Sequence, residues 1–190
     1  MSTRRDVLVD TALDLFCRDG FHATGIDKIL AESGVAKMTL YKHFRSKDEL
    51  ILAALRRRDE RFRNWFMRAV EQASGDPRER LLAMFDVLGT WFRKPEFYGC
   101  VFINASAEYG GPDHPVHATS AEHKRLMLGY VRELAAAAGA RDAEQLACEL
   151  MLLMEGAIVM AQITCSSHSA ERARGAAEKL VDAGLGREPR

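Results

Sequence analysis

Between Gly34 and Leu50 the chain reads GVAKMTLYKHFRSKDEL. At about 100° per helical residue, Leu40 and Phe44 fall together and would pack inward with Val35, so Met38 and Lys42 point away from any core. Thr39 and Tyr41 flank that outward pair, and Lys37 and His43 lie near the seam. An ammonium, a thioether, a hydroxyl and a phenol on one short helix suit a nucleic-acid groove. Lys42 can donate to guanine O6 and N7, and Met38 can lie against a thymine methyl. The hydroxyls of Thr39 and Tyr41 are suited to phosphate oxygens, which set the helix in place without reading sequence. Thr24 and Lys47, each at the start of an expected helix, are further phosphate candidates, because N-terminal amides and the helix dipole favour an anion there. The expected contact set is thus Thr24, Lys37, Met38, Thr39, Tyr41, Lys42, His43 and Lys47. The competing reading of the same residues is a helical hairpin with a solvated polar face.

The elements that would position this set are helical almost throughout. Val7, Leu8, Ala12, Leu15 and Phe16 recur at spacings of three and four, and Asp19-Gly20 stops that helix. Thr24 is a candidate N-cap for a short helix carrying Ile26, Ile29 and Leu30 on one face, closed by Ser33-Gly34. A second short helix follows from about Ala36 to His43. Two short helices around a Gly-containing turn are the signature of a helix-turn-helix. Ser46-Lys47-Asp48-Glu49 reads as a capping box opening a long helix to about Ala73. Ser74-Gly75-Asp76-Pro77 then breaks the chain. Beyond it, helices are expected at 78–94, 98–109, 116–138, 142–164 and 169–183. The fold class is therefore all-α with about nine helices: a three-helix DNA-binding domain over 1–50, a connecting helix over 47–73, and a larger helical domain over 74–190.

Charge and composition agree with that division. The net charge is zero, yet residues 1–68 hold 14 Lys+Arg against 10 Asp+Glu, and the remainder 13 against 17. A basic end on an acidic remainder fits a nucleic-acid reader with an attached module. The densest apolar stretch, Leu146 to Thr164, is interrupted by Glu149, Glu155 and Gln162, which argues against a membrane span. MSTRRDVLVD does not read as a secretion signal, and Cys17, Cys100, Cys148 and Cys165 form no CxxC pair, which fits a cytoplasmic protein with buried thiols. Catalysis finds no Gly-rich phosphate loop, nucleophile elbow or HExxH, and no cofactor is expected. His114-Pro115-Val116-His117, with His123, Glu108 and Cys100, has workable metal spacing but no second dense ligand pair, so no metal site is expected. Cys100 or Cys165 as a redox sensor is a minor alternative.

The segment FCRDGFHATGIDKILAESGVAKMTLYKHFRSKDEL, from Phe16 to Leu50, resembles the DNA-binding domain of the TetR/AcrR family of bacterial transcriptional regulators. The likeness is carried by Phe16, Gly20-Phe21, Thr24, Ile26, Ile29, Ala31, Gly34-Val35, Thr39-Leu40-Tyr41, His43-Phe44 and Lys47-Asp48-Glu49-Leu50. It departs from the family pattern at Ala36, where the recognition helix would gain from a Ser cap, and at Met38, where a smaller residue is usual.

The resemblance implies a homodimer that binds a palindromic operator in double-stranded DNA, acts as a repressor, and releases DNA when a small-molecule effector enters the C-terminal domain. Activation, a thiol- or metal-responsive regulator, and a dimeric scaffold with an unused helix-turn-helix stay open. It also implies an interface built by the last two helices, for which Leu146, Leu150, Leu153, Met154, Ala157, Ile158, Ala161, Ala173, Ala177 and Leu180 are the expected residues. An effector cavity would be lined by Trp91, Phe92, Phe97, Tyr98, Phe102, Tyr109, Met127 and Met151. Glu155, set among apolar residues, would if buried need a partner across the interface or on the effector, and otherwise faces solvent.

Overall fold

The computed structural model describes residues 3–186. They form nine helices: α1 Arg4–Asp19, α2 Ile26–Ser33, α3 Lys37–His43, α4 Lys47–Ala73, α5 Pro77–Phe92, α6 Val101–Glu108, α7 Pro115–Ala137, α8 Ala143–Thr164 and α9 His168–Gly184. The expected class and order hold, and most ends agree within about two residues. The start of α6 is the exception, at Val101 instead of 98. Gly99 takes a left-handed φ of +80°, and the Gln162 side chain occupies the space that a Cβ there would need, so no helix can run through it.

Two compact units are interleaved along the chain. One runs to Phe62 and adds Cys100–His123; the other comprises Arg63–Gly99 and the chain from Lys124 onward. In the first, α2 and α3 pack on α1 through Leu8, Ala12, Leu15, Phe16, Ile29 and Leu40, all buried. Phe21 stacks on Phe16 with ring centroids 5.0 Å apart. A capping box opens α1: the Thr3 hydroxyl accepts the Asp6 amide at 3.1 Å, and the Asp6 carboxylate accepts the Thr3 amide at 3.0 Å.

In the second unit α5, α8 and α9 pack on one another. The small residues Ala170, Ala173 and Ala177 on α9 are buried and permit close approach, and Arg78 of α5 reaches Asp182 of α9 at 2.8 Å. By length and mean hydropathy (1.7) α8 is long and apolar enough to cross a bilayer, and 44% of that apolar window is buried inside the protein.

Candidate nucleic-acid interface

The recognition face is built by a helix of seven residues that cannot stand alone. Leu40 is fully buried, and Phe44 and Val35 nearly so, so α3 is pinned along one edge. The opposite edge is left to solvent: Met38 is 87% exposed and Tyr41 51%, and Lys37, Lys42 and His43 are exposed beside them, with Thr39 half-buried. The turn before α3 is set by Gly34 at φ +65°, with its N–H donating to the Leu30 carbonyl at 3.0 Å. Ala36 stands at the N-cap in extended conformation and provides no side-chain acceptor.

Not every expected contact lies on that face. Thr24 is fully buried, and its hydroxyl donates to the Gly20 carbonyl at 2.7 Å; it closes the α1–α2 turn and cannot reach a phosphate. Nor does it cap α2, whose N-cap is Gly25. Lys37 leans 3.4 Å from Asp27, both exposed, a contact too solvated to hold it against a competing phosphate. Lys47 is half-buried at the start of α4, with Nζ 3.5 Å from the His22 carbonyl. The cap of α4 also differs from expectation: Ser46 accepts the Glu49 amide at 3.2 Å, but the Glu49 carboxylate accepts from Arg45 N–H, at 2.8 Å.

Glu108, considered in the sequence only as a metal ligand, has a structural task in the same unit. From the end of α6 its carboxylate accepts the backbone N–H groups of Phe21 at 2.8 Å and His22 at 2.6 Å. His22 Nε2 lies 3.1 Å from the Glu108 carbonyl oxygen, and Tyr109 packs on the His22 ring, with His114 stacked on Tyr109. This clamps α6 to the α1–α2 turn. His123 instead pairs with Asp59 at 2.8 Å and stacks on Phe102 at 3.8 Å. His114, His117 and His123 are not gathered into a ligand cluster among the described residues.

Electrostatics in this unit secure the scaffold. Hydrogen bonds from Thr3 and Arg57 hold the Asp6 carboxyl well below the ordinary carboxylate range. Lys28 and Arg18 do the same for Asp19 to a lesser degree. Burial pushes the Cys17 thiol up to about 11, which makes it a poor nucleophile at neutral pH.

Residues 8–54, which contain α2, α3 and the turn between them, match the family model described as bacterial regulatory proteins, tetR family, and residues 77–177 match a tetracyclin repressor-like C-terminal domain. The chain belongs to the TetR family. A solved TetR-family transcriptional regulator from Streptomyces coelicolor is 34% identical, covers 96% of each chain, and superposes with a TM-score of 0.89. The transcriptional activator FasR of Mycolicibacterium smegmatis is 40% identical over 80 residues, which is 42% of this chain and 36% of FasR. The transcriptional repressor NemR of Escherichia coli K12 is 28% identical over 105 residues, 55% of this chain and 53% of NemR. The chain is thus a TetR-family transcriptional regulator with a DNA-binding helix-turn-helix domain.

The remaining residues expected from TetR-family resemblance are dispersed. Trp91, Phe92 and Phe97 form one aromatic cluster, with centroids 4.9–5.9 Å apart. Tyr98 is exposed, Met127 buried and Met151 half-buried. Phe102 and Tyr109 belong to the other unit, where His123 and the Phe21–His22–His114 group already cover their rings. Glu155 is ion-paired with Lys124 at 2.6 Å inside its own unit.

The expected interface residues need a larger correction. Leu146, Leu150, Met154, Ala157, Ile158, Ala161, Ala173 and Ala177 are buried in the protomer itself, because they lie on the faces where α5, α8 and α9 meet; only Leu153 and Leu180 are half-buried. The exposed edge of α8 carries Leu152 (74% exposed), Gly156, Met160 and Ile163 (73%). With Arg172 and Ala173 of α9, Leu152, Gly156 and Met160 line an open groove of about 440 Å³.

Proposed function

We propose that this chain is a cytoplasmic, ligand-responsive repressor that binds a palindromic operator as a homodimer and is released by a small molecule held in its C-terminal domain. Residues 1–50 would read DNA, and residues 74–190 would dimerise and take the effector. The observation that carries the reading is the two-sided recognition helix: Leu40 and Phe44 buried, Met38, Tyr41 and Lys42 presented to solvent. One such helix reads only a few base pairs, so two copies at major-groove spacing are needed for a specific site. A second copy would cover the exposed Leu152, Gly156, Met160 and Ile163 edge of α8, whose contiguous apolar surface is otherwise left in water. Within the effector module, Trp91, Phe92, Phe97, Tyr98, Met127 and Met151 remain the candidate wall. DNA and effector would each weaken the other's binding by the same factor.

Repression needs only occupancy of a promoter, without a further protein surface. Activation is the second reading, favoured by the likeness to FasR over 80 residues. Selection of bound duplexes from a random DNA pool tests the main reading: a palindromic motif is the expected outcome, and no enrichment by a folded dimer, with or without cell-extract metabolites, would overturn it. Transcription in vitro from a promoter bearing that motif separates the two signs.

A further inference from the structure

The first turn of α1 carries two cations where charge alone argues against them. Arg4 and Arg5 lie at the positive end of the helix dipole, which favours an acid such as Asp6. Three other arginines of this unit are neutralised: Arg18 by Asp19 and Glu32, Arg57 by Asp6 and Asp10, Arg61 by Asp10. Arg4 and Arg5 are exposed and have no carboxylate partner among the described residues.

Arg5 nevertheless has a defined place. Its guanidinium carbon lies 5.3 Å from the ring centroid of Phe44, the buried residue that ends α3. On either side of Phe44 in the chain are Lys42 and Arg45, exposed and likewise without a carboxylate partner among the described residues. Arg5 of α1 is therefore held at the end of the recognition helix, against the residue whose chain neighbours include the exposed cations Lys42 and Arg45. A guanidinium held on an aromatic face keeps its donors outward, and its planar fork matches two phosphate oxygens.

We propose that Arg5, supported by Arg4 and Arg45, grips backbone phosphates of the operator outside the helix-turn-helix and so widens the DNA footprint. This rests on the regulator reading above. The test is the salt dependence of binding to a duplex selected by the wild-type protein, compared with Arg5→Gln, which retains part of the aliphatic stem over Phe44. The expected result is a log–log salt slope smaller by about 0.9 for each protomer, with affinity lower by the same factor on every duplex bound. Arg5→Lys should retain the slope, and Arg132→Gln, an equal charge change at a residue paired with Glu144, should leave it unmoved. An unchanged slope in Arg5→Gln with an unchanged melting temperature would overturn the phosphate grip while leaving the regulator reading intact, as would a loss confined to particular sequences. A folded wild-type protein that binds no duplex at any salt concentration would overturn both.

Discussion

At the residue scale, the exposed edge of α3 separates positioning from reading. Tyr41 offers a hydroxyl from a half-exposed ring, so Tyr41→Phe should weaken binding on all duplexes by roughly fivefold, the value of one hydrogen bond. Met38 and Lys42 point straight outward, so Met38→Ala and Lys42→Ala should change which bases are preferred in a repeated duplex selection; unchanged motifs in both would sink that assignment. These positions were legible because Leu40 and Phe44 fix the inward direction and four residues of known rotation then follow. Thr24 was not legible: a hydroxyl before a helix serves as cap, phosphate ligand or turn lock with the same sequence, and only burial distinguishes them. Asp6 provides a pH prediction. Its folded-state affinity for protons is depressed, so its contribution is present above the unfolded value of about 4 and is lost as pH falls through that value toward the folded one. Urea midpoints should therefore drop between about pH 4 and pH 2, and less steeply in Asp6→Asn.

At the element scale, two contacts decide how firmly the DNA head is held. The N-cap of α3 is Ala36, whose φ of −64° and ψ of 142° are already those of a cap residue. Ala36→Ser should therefore stabilise the protein by about 1 kcal/mol, read as a higher melting temperature; a decrease would mean that the hydroxyl finds no end amide. The clamp between α6 and the α1–α2 turn depends on Glu108. Glu108→Ala would strand the amides of Phe21 and His22, and the former lies in a part-buried setting, so a loss of about 1–3 kcal/mol is expected in denaturant unfolding. Helix order and most boundaries could be read from periodicity and turn residues, because those signals are local. The clamp could not, since its partners lie 87 and 86 residues apart and no local pattern links a carboxylate to distant amides.

At the scale of the whole molecule, the reading of α8 shows where periodicity stops being informative. This helix is apolar nearly all round, with Leu, Met, Ile and Ala on every side, so hydrophobic spacing alone cannot say which face meets α9 and which meets a second copy. Only packing in the folded protomer separates them: Leu150 and Met154 are buried against the protein's own helices, while Leu152 and Ile163 are about three-quarters exposed. The two faces should answer differently to substitution. Leu150→Ala removes a fully buried side chain and should cost about 2–5 kcal/mol of protomer stability. Leu152→Asp and Ile163→Asp touch no buried site and should leave monomer secondary structure and protomer packing intact. Each places a charge on both sides of a two-fold contact, where desolvation and like-charge repulsion oppose association. Sedimentation equilibrium should then show a folded monomer for the double aspartate variant, and operator affinity should fall with it, because half-sites would have to be bound independently. A dimer unshifted in that variant would place the interface elsewhere on the surface and remove α8's exposed edge from the proposal.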